Sequence, residues 1–493
     1  MYKSTNNTIQ TFWVALGSLS AFGLAIVSSA ILSRYLAKED YGTYRQIIFV
    51  YSTLLVVFSA GLPRVFAYFL PRYSLSQGKT IVKKVSLVLV GCGLLFSICL
   101  YLFSGLIARI LDNEELEYGL KVFSIVPFFL LPTLGIEGIF STYKKTIYIA
   151  IYNTLTRFVM LLCIIVPVIV YDGNYINALY GWVVASVFTF VIAILFKSLP
   201  FKGISKSKTD LKIGEILSYS LPLVGAGIWG VVIKSSDMFY ISRFFGEEAF
   251  AEYANGFTSL PFVTIITSSA AVVLMPIFSK YFQGNNNTKE ILNVWLNALK
   301  KSTIIIYPLI IYFFVYADDV VVLLFSESYL NSSIYFRINL ILNVFNIIIF
   351  APLFLATGRT KLYANVHMFL ALAIWLTGYL VVIVFNSPTA IAYNSVAIHI
   401  LKVIIFIYLA SRILNIPFLK FFPLRQIGRS LFQSFVVIGF VYFSYAYLVN
   451  SDSIIIKLLV TFSAFCIILL ATGKFFRIDY YGMVKPFFKS QDN

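Results

Sequence analysis

Seven ionisable side chains stand inside or at the edge of long apolar runs in this 493-residue chain: Arg64, Glu137, Arg157, Lys234, Asp237, His399 and Lys402. At the centre of a hydrocarbon layer each costs a few kcal/mol unless it faces protein or water, so such residues mark cavities, ion paths or internal pairs. Arg64 follows Gly61-Leu-Pro63. Pro63 removes a backbone donor and Gly61 loosens the helix, which predicts a bend beside a cavity; the other reading is a stem that snorkels to the nearer membrane face. Arg157 is farther from both ends of its span, where snorkelling is harder. Lys234 and Asp237 are three apart on one helical face, spaced for an ion pair. His399 and Lys402 repeat that spacing in a later run. Glu137, between Gly135 and Gly138, is a carboxylate deep in a span. It either carries a coupling proton or neutralises Arg157 or Arg64. Cations exceed anions in this set, the pattern of an anion site: Arg grips an oxyanion through two N–H donors and Lys holds it as a point charge. No catalytic constellation joins them. His367 and His399 lie in separate runs, and no G-x-S-x-G, P-loop or H-E-x-x-H occurs. No metal or cofactor is expected, and the short loops leave no room for a nucleotide-binding domain. An ion gradient (H+ or Na+) or a lipid gradient is then the energy source.

The elements that position these residues follow from composition. The chain is 60% hydrophobic and 12% charged, against roughly 25% charged in soluble proteins. Apolar runs of about 20 residues, the length that crosses a bilayer as a helix, recur from about residue 9 to residue 473. They predict an all-α polytopic membrane protein of about 14 transmembrane helices. The net charge of +17 does not point to nucleic acid, because the charges alternate by loop. One set of breaks carries Lys79, Lys83 and Lys84, then Lys144 and Lys145, then Lys197 to Lys212, then Lys280 to Lys301, Arg359, Lys361 and Arg412 to Arg429. The intervening breaks carry Asp112 to Glu117, Asp172, Glu247 to Glu252, Asp318 to Glu327 and Asp452. The positive-inside rule places the basic breaks, and both termini, in the cytoplasm.

The chain also repeats itself. Leu32-Ser-Arg-Tyr-Leu-Ala-Lys-Glu-Asp-Tyr-Gly-Thr-Tyr44 aligns without gaps on Ile241-Ser-Arg-Phe-Phe-Gly-Glu-Glu-Ala-Phe-Ala-Glu-Tyr253. Pro71-Arg-Tyr-Ser74 with Gln77-Gly78 resembles Pro276-Ile-Phe-Ser279 with Gln283-Gly284, and Phe140 to Thr146 resembles Phe354 to Thr360. The offset is about 210 residues and always an even number of spans, so the repeats are parallel, related by a pseudo-two-fold axis along the membrane normal. The predicted organisation is a six-helix lobe over 1–196, a linker over 197–213 and a second lobe over 214–412. An amphipathic connector over 413–429, two extra helices over 430–473 and a basic tail over 474–493 complete it. Arg34 and Arg243 run against the charge bias. They are expected to hold Glu39 and Asp40, or Glu247 and Glu248, at an outer gate, with substrate contact by Arg34 as the second reading.

At this point the chain resembles the polysaccharide and lipid-linked oligosaccharide flippases of the multidrug/oligosaccharidyl-lipid/polysaccharide exporter superfamily. The likeness rests on Arg34-Tyr-Leu-x-x-Glu-Asp-Tyr-Gly42, Tyr219-Ser-Leu-Pro222, Asp237 and Leu323-Leu-Phe-Ser-Glu-Ser-Tyr329 in this order, and it extends over essentially the whole chain. It departs at Phe250-Ala251, where the first copy has Tyr-Gly. The resemblance implies a basic residue at the place of Arg64. It also implies alternating-access transport of an isoprenoid-pyrophosphate-linked oligosaccharide (an O-antigen, capsule or exopolysaccharide repeat unit) across a bacterial cytoplasmic membrane. Membrane lipids and a polysaccharide polymerase would be its neighbours. Within the superfamily, a peptidoglycan lipid-precursor flippase and a multidrug antiporter are alternatives, the latter disfavoured by the two extra helices. A polysaccharide polymerase or O-acyltransferase is the alternative of another class. No large outward loop supports the first, and His367, among Val366, Met368 and Phe369, does not support the second.

Overall fold

Every apolar run long enough to cross a membrane is helical in the computed structural model, which describes residues 7–171, 173–283, 288–448 and 453–480; Lys3, Asp172, Gly284, Asp452 and most of the basic tail lie outside them. Among the described residues there is no strand. Thirteen helices have the length and apolarity of a span, and a bent pair makes a fourteenth. In chain order they are α1 (Asn7–Tyr35), α2 (Lys38–Arg72), α3 (Leu75–Leu102), α4 (Glu115–Thr142), α5 (Ile147–Val170), α6 (Tyr175–Phe201) and α7 (Ile213–Gly256). They continue with α8 (Pro261–Gln283), α9 (Thr288–Val315), α10 (Ser332–Ala356), α11 (Thr360–Phe385), α12 (Pro388–Leu414), α13 (Leu424–Leu448) and α14 (Ile454–Thr472).

By packing the chain forms two compact units, residues 1–254 and 255–493. The stretch after α6 is strapped along α3 in the first unit: Lys79 Nζ donates to the Ile204 carbonyl (2.6 Å), Thr80 Oγ1 to Ser207 (2.7 Å) and Lys84 Nζ to Leu211 (3.0 Å). Helix α7 is bent by 50° between Ile213–Pro222 and Gly227–Gly256. It turns back at Gly246 (φ 78°, ψ −178°), so Glu247 to Gly256 runs as a new helix start. Gly246 occupies the place that Ala37 holds between α1 and α2; positive φ is cheap only for glycine.

Two further helices of the first unit are broken inside their spans. In α2 the segment Lys38–Phe58 ends in Ala60 (φ 49°) and Gly61 (φ 66°), and Pro63 opens a second segment, Pro63–Phe69. In α4, Pro132 and Gly135 (φ 86°) separate Val126–Leu130 from Ile136–Thr142. The breaks pack on each other: a Cβ on Gly135 would collide with the Phe66 ring, and one on Gly138 would sit 3.3 Å from the Ala67 nitrogen. Interrupted helices strand carbonyls in an apolar interior, where each must find a donor. Lys197 supplies them. Its buried ammonium donates to the carbonyls of Pro132 (2.6 Å) and Leu134 (2.9 Å) and to Ser86 Oγ (3.3 Å), 5.2 Å from the Phe66 ring centre. Lys197 thus belongs to the end of α6 and not, as its neighbours suggested, to a solvated linker.

In the second unit α10 is broken at residues 347–350. A ladder of amides precedes the break: Asn346 Nδ2 donates to Asn343 Oδ1 (3.0 Å) and Asn343 Nδ2 to Asn339 Oδ1 (2.8 Å). Helices α13 and α14 pack on α9 through Tyr312, whose hydroxyl lies 2.9 Å from the Leu458 carbonyl and 3.0 Å from Thr461 Oγ1. The connector before α13 is shorter than expected: Phe421 is buried against Trp295, and α13 starts at Leu424.

Candidate functional site

The breaks in α2 and α4 line one side of a cavity of about 600 Å³ in the first unit, which brings together three residues that sequence alone singled out separately: Arg64, Glu137 and Arg157. Arg64 follows the Gly61 break directly, as the Gly-Leu-Pro signal predicts. Arg157 comes from α5, whose residues Asn153, Thr156, Arg157 and Met160 face the cavity at helical spacing. Tyr51, Thr133, Tyr152, Trp182 and Thr189 complete the polar and aromatic wall. The neutralising pair is not formed. Glu137 accepts from Asn153 Nδ2 (3.2 Å) and makes no ion pair with Arg64 or Arg157 among the described residues. The nearest polar contact of Arg157 is the Met160 sulfur at 4.0 Å. Two guanidiniums therefore face an open volume without a carboxylate on either.

A smaller pocket of about 200 Å³ shares Arg157, Met160 and Trp182 with this cavity and extends to Ser28, Ser29, Tyr44 and Arg45. Sequence analysis did not single out Arg45. Its position just inside α2, after Tyr44 and facing Ser29 one helix back, was the available signal. Arg45 Nη2 donates to the Ala254 carbonyl (2.9 Å), and Nη1 lies 3.3 Å from both Ser29 Oγ and Tyr41 Oη.

The two copies of the duplicated motif meet at the acidic end of the first unit. Lys38 pairs with Glu252 (2.6 Å) and more loosely with Glu248 (3.6 Å). Gln46 Nε2 donates to Ser242 Oγ (2.9 Å), and Asn113 Nδ2 donates to Gln46 Oε1 (2.6 Å). A Cβ on Gly42 would strike the Glu247 carbonyl. Gly42 is thus required for close helix approach and not for a turn, which explains why the second copy can carry Phe250-Ala251. The pairing differs from the expectation. Arg243 reaches Asp112 (3.1 Å) and the Arg109 carbonyl (2.7 Å) instead of Glu247 or Glu248. Glu39 and Asp40, in the first turn of α2, join no ion pair among the described residues. Arg34 is exposed in the last turn of α1. Local spacing identified the charged stretch but not the partners, which lie on distant segments: the other copy for Lys38 and the turn between α3 and α4 for Arg243.

Lys234 and Asp237 do not pair. Asp237 is buried and accepts from Tyr253 Oη (2.8 Å) and Ser236 Oγ (3.2 Å), while Lys234 is exposed. A straight helix would put about 24 Å between residues 237 and 253; the reversal at Gly246 closes that gap. In the second unit His399 and Lys402 line a pocket of about 310 Å³ with His367, Tyr363, Phe350, Phe406, Thr264, Thr267, Ser268 and Asn346. His367 Nδ1 lies 2.9 Å from the Tyr363 carbonyl, which orients the ring. Among the described residues no three His, Cys, Asp or Glu converge as metal ligands.

A family model described as "Polysaccharide biosynthesis protein" matches residues 31–334. No curated protein sequence matches the chain. Among solved structures, the fold is similar to that of a lipid II flippase, MurJ, in an inward closed conformation: 16% identity, 94% of this chain and 98% of that one covered, TM-score 0.69. It is also similar to an inward-facing multidrug resistance MATE family transporter of the MOP superfamily (14% identity, 82% and 94% covered, TM-score 0.64). A MOP superfamily transporter from Pyrococcus furiosus is a third (12% identity, 82% and 94% covered, TM-score 0.60).

Proposed function

Because the chain belongs to the polysaccharide biosynthesis protein family, and has the multi-pass fold of flippases and transporters, we propose that it is a flippase. Its substrate is an isoprenoid-pyrophosphate-linked oligosaccharide, an O-antigen, capsule or exopolysaccharide repeat unit, moved across a bacterial cytoplasmic membrane. The observation that carries this reading is the cavity of about 600 Å³ in which Arg64 and Arg157 stand without carboxylate partners. A pyrophosphate offers several oxygens to two guanidiniums, and Tyr51, Tyr152 and Trp182 offer ring faces to sugars. A cationic cargo would meet the wrong sign.

In this scheme the headgroup enters the cavity from the basic, cytoplasmic end while the isoprenoid tail stays in the bilayer. The acidic-end latch then opens outward. An H+ or Na+ gradient is the energy source proposed, with Glu137 as its carrier in the first unit and His399 in the second. A polysaccharide polymerase is the proposed consumer of the product. A peptidoglycan lipid precursor is the second reading, favoured by the 94% and 98% mutual coverage with the lipid II flippase.

The test is the Arg64→Ala/Arg157→Ala double variant, expressed where loss of the protein abolishes a surface glycan. Export is expected to fall at least about 100-fold, two charge-assisted contacts at roughly 1.5–3 kcal/mol each, with unchanged protein in the membrane. Wild-type export in this variant would end the clamp reading. Mass spectrometry of the lipid-linked glycan that accumulates in the deletion strain separates repeat unit from peptidoglycan precursor.

A further inference from the structure

Arg157 lines both the main cavity and the smaller pocket beside it, so an anion held by Arg64 and Arg157 reaches a second cation by passing one side chain. That cation is Arg45. It is half-buried, it makes no ion pair among the described residues, and its otherwise largely apolar pocket offers three hydroxyls, Ser28, Ser29 and Tyr44. At rest its donors are spent on weak neutral acceptors, the Ser29 and Tyr41 hydroxyls at 3.3 Å each and the Ala254 carbonyl at 2.9 Å.

The last of these contacts matters most. Ala254 lies on the same helical segment as Glu248, Glu252 and Phe250, which the latch holds against α2 through Lys38 and through the Phe49–Phe250 ring contact at 5.8 Å. One guanidinium is therefore both a latch donor and, with Arg157, one of two cations lining an anion-sized pocket.

Resting on the flippase reading above, we infer that Arg45 is a second phosphate station whose occupation unlocks the acidic end. A phosphate oxygen binds a guanidinium more strongly than a peptide carbonyl does, because both partners are charged. When the pyrophosphate moves from Arg64 and Arg157 onto Arg157 and Arg45, it takes Nη2 from the Ala254 carbonyl. A ligand shifts a conformational equilibrium only by its differential affinity for the two states. Here the differential is that Arg45 is free to grip the phosphate fully once the Ala254 contact is given up. Arrival of the headgroup and opening of the latch are thus one event, and an empty carrier stays shut.

The experiment uses the full-length protein in nanodiscs, with Cys92, Cys99, Cys163 and Cys466 replaced and Ser242→Cys as reporter of the latch. Ser242 is buried behind Gln46, so its labelling by a polar maleimide reads opening. Farnesyl pyrophosphate is the probe, with farnesol and inorganic pyrophosphate as controls. Farnesyl pyrophosphate is expected to raise the labelling rate about threefold or more, and farnesol to leave it unchanged. A rise with inorganic pyrophosphate alone assigns the station to the diphosphate, and no rise assigns it to the lipid-linked form.

Arg45→Gln keeps an N–H donor for Ala254 but has no charge. It is expected to label slowly without probe, as the parent does, to lose the response to farnesyl pyrophosphate, and to export about tenfold less glycan. Arg45→Lys keeps the charge and recovers most of the response. If Arg45→Gln responds to the probe as the parent does, the inference fails. It fails equally if that variant labels fast without probe while exporting normally, since Arg45 would then be a structural tie only. If the Arg64/Arg157 double variant exports normally, the flippase clamp itself fails, whatever Arg45 does.

Discussion

The two units carry corresponding cavities built from different chemistry. In each, a broken helix (α4 or α10) and the two helices after it (α5 and α6, or α11 and α12) enclose a polar space beside α2 or α8. The first-unit cavity is about twice as large, near 600 Å³ against 310 Å³, and its cations are guanidiniums. The second-unit pocket has one ammonium and two imidazoles packed among rings: Tyr363 and His367 are 4.4 Å apart, and Phe350 and Phe406 5.0 Å. The two units share backbone breaks at α4 and α10 and differ in what the breaks expose. The first unit exposes two guanidiniums, the second a smaller pocket of imidazoles and an ammonium among rings.

Single substitutions put that difference to its strongest test. Arg157→Ala removes a group from both first-unit pockets and is expected to lower export at least about tenfold, the value of one charge-assisted contact. Lys402→Ala, in the smaller pocket, is expected to lower it only about two- to threefold. The measurement is surface glycan per molecule of membrane-inserted protein. Equal losses would mean that both units bind the headgroup and that the contrast between them is not functional.

Much of this was legible in the sequence. The spans follow from the length of the apolar runs, and the cost of charge in hydrocarbon singles out Arg64, Glu137 and Arg157, which line one cavity; neither needs tertiary information. Partners were not legible. Spacing of three between Lys234 and Asp237 shows a shared face, yet Asp237 is satisfied by Tyr253 through a chain reversal at Gly246 that the Arg-Phe-Phe-Gly-Glu run only hints at. Arg243 and Lys38 likewise find acids on distant segments. Lys197 was hidden by its company: it heads a run of solvated lysines, and only the broken α4 beside it explains why an ammonium is buried there.

The breaks themselves are held differently, by an ammonium in the first unit and by amides in the second. Lys197→Met removes the donor from two buried carbonyls, each worth about 1–3 kcal/mol when left unsatisfied. It also relieves the burial of a charge, leaving a net loss of about 2–4 kcal/mol. Asn343→Ala breaks a ladder of neutral amides, at about 1–2 kcal/mol. The expected order of apparent Tm in detergent is wild type, Asn343→Ala, then Lys197→Met. A reversed order would show that the first-unit break is held by packing of Phe66 against Gly135 and not by the ammonium.

The smallest expected effect lies at the acidic ends. In the first unit Lys38 meets Glu252 at 2.6 Å with both side chains largely covered, whereas in the second Arg337 grips both oxygens of Asp318 (3.0 and 2.8 Å) with the carboxylate half exposed. The Arg337 hydrogen bonds hold the Asp318 carboxyl below its ordinary value, against a smaller opposing effect of burial. A depressed carboxyl contributes stability that is complete above its unfolded-state value and is lost as pH falls through the folded one. Asp318→Asn should therefore lower stability at neutral pH by at most about 1 kcal/mol, because the pair is solvent-screened, and by nothing once the pH is below both values. Glu252→Gln should cost more at neutral pH, since it removes the shorter of the Lys38 ion pairs at a largely covered ammonium. Unfolding midpoints measured from pH 7 down to pH 3 for both variants decide the point. If Asp318→Asn is the more damaging of the two at pH 7, exposure is not what distinguishes the ends, and the bidentate grip of Arg337 outweighs the cover over Lys38.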